Sequence, residues 1–426
     1  MWTGSSIYSG LAAVPAAIRN TSHLSLIVRP SSLSGLATLV LIGCTGGNGP
    51  DREADPGPTG ADGLVAPVAG YLPTSGEAES ISVGERFACG LDREGKGFCW
   101  GRNEYGQLGI GKSLSFSGEL QPIAGNHRFR AISAGWRHAC AVTVGGVAYC
   151  WGENYDGQLG NRFAYSYVPV PVENQPAPFL SVSAGVVHTC AVAISGEGYC
   201  WGNGRDGQLG NGLAFSHRSP SMLAGQHTFR SISAGARHTC GVTVDGVALC
   251  WGHGSAGRLG TGFAQGRLTP TEVVGDLTFH SVSAGLAHTC GVATTGQAYC
   301  WGDGASGQLG DGQSRNRSVP VHVVGDDRYQ SVSVGPRHTC ALTATESVHC
   351  WGNGSDGEFG RWPTVPQHIP GPRGPGDQAL TVGAGGHGHA SSCGRWAEEF
   401  FCWGYLPFHR SDRALEPTRI GPVQAE

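Results

Sequence analysis

The stretch HTCGVTVDGVALCWG, residues 238–252, places two cysteines ten positions apart, on either side of an Asp-Gly pair. Alternating β-branched and aromatic residues flank Asp245 and Gly246, the pattern of two strands joined by a tight turn. With Val244 and Asp245 in a type I turn and Gly246 left-handed, Thr243 faces Val247, and counting outward sets Cys240 opposite Cys250. Glycine suits position 246 because a residue with a Cβ is strained at positive φ. Opposed residues of a non-hydrogen-bonded antiparallel pair bring their Cβ atoms within reach of an S–S bond, so a cross-strand disulfide is expected.

The stretch recurs. HACAVTVGGVAYCWG begins at His138, HTCAVAISGEGYCWG at His188, HTCGVATTGQAYCWG at His288 and HTCALTATESVHCWG at His338. A weaker copy, FACGLDREGKGFCWG, begins at Phe87, and a distorted one, SSCGRWAEEFFCWG, at Ser391. Fourteen of the 15 cysteines then form seven pairs: Cys89 with Cys99, Cys140 with Cys150, Cys190 with Cys200, Cys240 with Cys250, Cys290 with Cys300, Cys340 with Cys350, and Cys393 with Cys402. The last pair is one residue closer in sequence than the others, so its hairpin is expected to differ. Cys44 is left over.

Other landmarks keep step. A short strand ending in a small-residue turn precedes each hairpin: SISVG at Ser80, AISAG at Ala131, SVSAG at Ser181 and Ser281, SISAG at Ser231, SVSVG at Ser331, LTVGAG at Leu380. A Gly-rich loop such as GQLG at Gly207 follows six hairpins, and then a proline-led strand such as PTEVVG at Pro270. Proline suits the start of an edge strand, where its missing N–H loses no ladder bond. Four short strands and no helix per unit make an all-β chain, a seven-bladed β-propeller of four-stranded blades. The first SISVG lacks a proline-led strand before it, and the chain finishes with an extra one at Pro417. The C-terminal strand is therefore expected to join the first blade and close the ring, which would remove two open edges.

The repeated pattern, with H-T-C-A-V-T leading to Y-C-W-G-x-N-x-x-G-Q-L-G, resembles the regulator of chromosome condensation repeat over roughly residues 80–423. The resemblance implies a seven-bladed propeller, and it implies that the histidine two residues before the first cysteine in five of the repeats is a framework residue hydrogen-bonded within its blade. The departure from the family pattern is the pair of cysteines in each repeat. The namesake activity, guanine-nucleotide exchange on a small GTPase, is one function the resemblance implies. Repeat spacings of 51, 50, 50, 50, 50 and 53 residues leave no room for an inserted wedge hairpin of the kind that exchange factor uses.

Composition fits turn-rich blades. Gly numbers 71 in 426 residues, well above the usual share of roughly 7%. Charged residues are only 14% and the net charge is −4, so no nucleic-acid-binding surface is expected. Of the 28 basic residues only Lys96 and Lys112 are lysine.

The odd cysteine belongs to the N-terminus. RPSSLSGLATLVLIGC, residues 29–44, joins a positive charge to a short apolar run and ends in LIGC, which resembles a bacterial lipobox. Residues 1–43 are then a leader, with the true start expected near Val28, and Cys44 becomes the lipidated first residue. Residues 33–43 are too few to span a bilayer as a helix. Residues 44–79, rich in Gly, Pro and Asp, read as a flexible linker, residues 80–423 as the propeller and 424–426 as a tail. A lipoprotein leader places the chain outside the cytoplasm, anchored to a bacterial membrane, where disulfides persist. A leader left unprocessed would instead mean a cytoplasmic protein.

Metal binding is the rival account of the cysteines, since His238, Cys240 and Cys250 would share one face of a hairpin. The spacing is not C-x-x-C, and structural disulfides are preferred. Tryptophans that recur in every blade, such as Trp251, read as packing between blades. Function is expected where the repeats differ, in the loops between LG and the proline-led strand. These carry Phe163, Tyr165, Tyr167, Phe215, His217, Arg218, Phe263, Arg267, Arg315 and Arg317, the aromatic and arginine mixture that protein-binding hot spots favour. No catalytic constellation and no cofactor motif is present in the sequence. The expected function is a monomeric, non-enzymatic, membrane-tethered propeller that binds a protein or cell-envelope component. Nucleotide exchange is the alternative, as is enzyme inhibition, since a secreted bacterial propeller of this repeat type inhibits β-lactamases.

Overall fold

The structure, a computed structural model, describes residues 81–355, 359, 367–373, 381–385, 391–396, 399–404 and 414–420. Cys44, the leader, the linker and the tail lie outside the described residues. The chain divides between Pro67 and Val68, and every described residue belongs to the second unit.

The strands assemble into seven four-stranded antiparallel sheets, each in sequence order from its inner to its outer strand. In the first, β1 (Ile81–Val83), β2 (Phe87–Leu91), β3 (Gly97–Arg102) and β4 (Phe116–Pro122) run outward from the centre. The second repeats the plan with β5 (Phe129–Ala134), β6 (His138–Thr143), β7 (Ala148–Glu153) and β8 (Tyr165–Pro171). Inner strands of six sheets line a central cavity of about 200 Å3. Among the described residues the one helical element is a 3-10 turn, Ser255–Gly257, and no helix there is long and apolar enough to cross a membrane.

The expected closure is corrected. The C-terminal strand, Ala414–Ile420, pairs with Glu399–Gly404 inside the last sheet and does not join the first. Each repeat already supplies its own inner strand, hairpin and outer strand, so no strand is left over to exchange. The inner strand Thr381–Gly385 instead lies beside β1, and Val83, Ala88, Trp100, Cys393, Cys402 and Ile420 form an apolar cluster across that junction.

The opening hairpin folds as its residues require. Gly246 takes φ 91°, its N–H donates to Thr243 O at 3.0 Å, and Cys240 lies directly opposite Cys250. All seven pairs, the shorter Cys393–Cys402 included, are joined as disulfides with Cα–Cα distances of 4.0–4.1 Å. Both strands of the Cys240–Cys250 hairpin are buried along their whole length, and that disulfide sits in a core with Phe279 and Trp301 of the next sheet.

The outer strands correct a second expectation. They begin ahead of the proline: Pro220, Pro270 and Pro320 are the fourth residues of His217–Met222, Arg267–Glu272 and Arg317–His322. Each proline falls where the register shifts against the neighbouring strand. A bulge on an edge strand needs no ladder N–H there.

Repeated residues hold neighbouring sheets together. Trp201 Nε1 donates to Gln158 O at 3.0 Å and Trp251 Nε1 to Gln208 O at 3.0 Å, each reaching the Gly-rich loop of the sheet before. The second glycine of that loop leaves room for the indole: a Cβ on Gly210, at φ +65°, would lie 2.5 Å from Trp251 Nε1. On the inner strands, Ser82 Oγ accepts from Ala134 N, Ser133 from Ala184 N, Ser183 from Ala234 N and Ser233 from Ala284 N, all at 2.9 Å.

Candidate partner-binding face

The ten loop residues named from the sequence are split by the early start of the outer strands. Phe163, Phe215, Phe263 and Arg315 lie in the connections, whereas Tyr165, Tyr167, His217, Arg218, Arg267 and Arg317 stand on the strands themselves. The structure strings them along the rim formed by four consecutive sheets. Phe163, Tyr165, Phe215 and Phe263 are 58, 52, 52 and 62% exposed, although large aromatic side chains favour burial.

These connections interleave with the next sheet. Gly111 N donates to Tyr167 O at 2.7 Å and Gly212 N to Leu268 O at 3.0 Å, while Tyr167 OH donates to Glu104 O at 3.2 Å. Tyr165 and Tyr167 meet edge to face at 5.7 Å, and Phe215 stacks on His217 at 4.9 Å. Arg317 is tied to Asp311 at 2.6 Å. Arg218 and Arg315 remain exposed. The rim is thus a held surface of aromatic faces with cations between them.

Sequence reasoning missed several neighbours. Leu114, Phe116, Val168, Leu213 and Leu268 are exposed on the same connections and outer strands. Aligning the repeats could have found Leu213, which occupies the position of Phe163 and Phe263. It also missed a cluster near the cavity mouth, because its members come from turns of two repeats. The Arg137 guanidinium lies 3.9 Å above the Trp136 ring and 4.8 Å from the Tyr105 ring, with Glu85 at 3.4 Å and Glu153 at 3.6 Å. Burial pushes the Glu153 carboxyl up, and Arg137 opposes that shift.

The histidines are framework groups. Thr189 Oγ1 donates its one proton to Gln158 O at 2.8 Å, so the His138 Nε2 that lies 2.9 Å away must be the donor to that hydroxyl. The same relay runs from His188 to Thr239, His238 to Thr289 and His288 to Thr339. Burial drives His138, His188, His288 and His338 down to about 3 and His238 well below its ordinary value, so all five are neutral. The metal account of the hairpin loses its thiolates to the disulfides. Among the described residues no group of three His, Cys, Asp or Glu side chains is placed to hold a metal.

The comparisons with known proteins agree with the frame. Residues 47–391 match the model of the RCC1-like domain. The ultraviolet-B receptor UVR8 of Arabidopsis thaliana is 37% identical over 81 residues, 19% of this chain and 18% of that protein. The probable E3 ubiquitin-protein ligase HERC4 of Homo sapiens is 36% identical over 93 residues, 21% of this chain and 9% of that protein. The chain therefore spans less than a fifth of the length of these curated relatives. Human WBSCR16 superposes with a TM-score of 0.67 at 20% identity, over 74% of this chain and 86% of that one. Prp20p of Saccharomyces cerevisiae, whose structure is described together with its binding to Gsp1p and histones, superposes with a TM-score of 0.65 at 20% identity, over 72% and 80%. With four-fifths of its length matched, the chain belongs to the RCC1-like domain family.

Proposed function

We propose that the protein is a non-enzymatic, extracytoplasmic binding propeller, tethered to a membrane by lipid on Cys44, that receives a protein or cell-envelope partner on its rim of aromatic connections. The carrying observation is the division of labour among the residues. What repeats is consumed by the frame, the buried tryptophans, histidines and disulfides, while Phe163, Phe215 and Phe263 are exposed on connections whose sequences differ from repeat to repeat. Protein ligands described for Prp20p support a protein partner here. Seven buried disulfides suit an oxidising compartment, and the apolar run ending at Cys44 supplies the route to it.

The test is photo-crosslinking in the cells that make the protein, with a photoreactive phenylalanine at 163 or 263 and, as the control, at 194. Ile194 is 59% exposed at the turn of a hairpin, away from these connections. Discrete adducts from 163 and 263 but not from 194 are expected. Equal labelling at all three positions, or none, overturns the rim. Incorporation of a labelled fatty acid that vanishes in Cys44→Ser tests the tether.

A further inference from the structure

We propose that the seam between the fourth and fifth sheets carries a carboxylate receptor built on Arg258, through which an acidic segment of a protein partner docks. This rests on the reading that the loop face receives a protein.

Four other repeats place a neutral glutamine at this point of the Gly-rich loop, Gln107, Gln158, Gln208 and Gln308, and Arg258 alone puts a cation there among the described residues. The side chain is only 7% exposed. Its contacts are neutral: Nε to Ser255 O at 3.0 Å, Nη2 to Ser255 Oγ at 2.9 Å and Nη1 to Leu286 O at 2.9 Å. A guanidinium has five N–H groups, so two remain without a protein acceptor among these contacts. Among the described residues no carboxylate forms an ion pair with it, and a buried charge left unpaired is costly.

The loop around Arg258 is also distorted. Ala256 stands at φ 61°, left-handed without being glycine, inside the 3-10 turn Ser255–Gly257. Strain of this kind concentrates at functional positions. This seam also lacks a cover that the preceding seam keeps. There Asp206 holds Arg237 by a two-point contact at 2.7 and 2.9 Å. The equivalent positions at the next seam are Ala256 and Ala287, both half-buried, with no side chain long enough to form that bridge.

The notch reaches solvent, since Ser255, which touches the guanidinium, is exposed. It also borders the central cavity, which Leu286 lines. Burial and the neighbouring Arg237 disfavour the Arg258 charge, Asp303 and Asp206 favour it from a distance, and neither carboxylate forms an ion pair with it, Asp206 being bound to Arg237. Arg237 adds a second positive charge. A guanidinium with free N–H groups fits a carboxylate, which accepts two parallel bonds from such a fork.

Isothermal titration with an acetylated, amidated hexaglutamate peptide at low salt tests the proposal, with hexaglutamine as the neutral control. The native protein is expected to bind hexaglutamate and not hexaglutamine, and Arg258→Gln, which restores the residue of the other repeats, to bind at least tenfold more weakly. Ala256→Asp, which supplies a carboxylate in place, is expected to lower binding to a similar degree. Asp tolerates the left-handed conformation better than most residues. Equal binding by Arg258→Gln, or no binding of hexaglutamate by the native protein, overturns the notch. Crosslinking at 163 and 263 reports the rim separately, so its failure is distinguishable.

Discussion

At the scale of single residues, five buried imidazoles make the fold sensitive to acid. Each has a folded pKa far below the value of about 6.5 it would have in the unfolded chain, because burial in the relay excludes the charged form. The unfolded state then binds more protons than the folded state below pH 6.5. The stabilisation is fully present above that pH and is lost as pH falls from about 6.5 towards about 3. Each histidine contributes up to about 1.4 kcal/mol per pH unit in that window. Thermal unfolding followed from pH 7.5 to 4.5 is expected to show a steep fall in Tm below pH 6.5; a flat profile would remove the neutral relay. A second residue carries strain without an evident role. Glu346 stands at φ 64° where the five preceding hairpins turn on glycine. Glu346→Gly is expected to raise stability by about 0.5–1 kcal/mol in denaturant titration, the relief of a left-handed Cβ less the added freedom of the unfolded chain. A loss of stability would contradict this.

At the scale of elements, the hairpin was the most legible part of the chain. Turn chemistry at Asp245 and Gly246 fixed the register, and the register fixed the disulfide, because all three are local. The outer strands were less legible: proline marks a point that cannot donate to a ladder, and a bulge satisfies that as well as a strand start does. The six rim residues that stand on strands follow from that single misreading. The Arg137 cluster and the Arg258 seam were not legible at all, because their partners come from neighbouring repeats whose spacing the sequence gives but whose contacts it does not. Each disulfide closes a loop of ten residues, or nine in the last, for which chain entropy predicts about 2–3 kcal/mol. Replacing Cys240 and Cys250 together by serine is expected to cost at least that much, since two hydroxyls would then be buried in an apolar core. A double variant as stable as the parent would show that the bond adds nothing to the hairpin.

At the scale of the whole molecule, the junctions between sheets are not equal. The junctions from the second sheet to the seventh carry the histidine relay, ending in His338 on Ser392 at 3.0 Å. Where the last sheet meets the first, Gly383 occupies the position of the inner-strand serine, opposite Cys393 as Ser233 is opposite Cys240. Ser391 stands in the place of histidine and Ala88 in that of threonine. Neither the serine latch nor the histidine relay can form across that junction, which the apolar cluster around Trp100 must hold. Regions with fewer such bonds open first. Hydrogen exchange is expected to be fastest along β1 and Thr381–Gly385 and slowest along Phe229–Ala234; uniform protection around the ring would contradict this.

The most direct single measurement is the intact mass of the protein isolated from the membranes of the cells that make it, before and after alkylation with and without reduction. A chain beginning at a lipid-modified Cys44, with fourteen further cysteines that alkylate only after unfolding and reduction, is the predicted result. An unlipidated chain whose cysteines alkylate without reduction would contradict the disulfides, the compartment and the tether together.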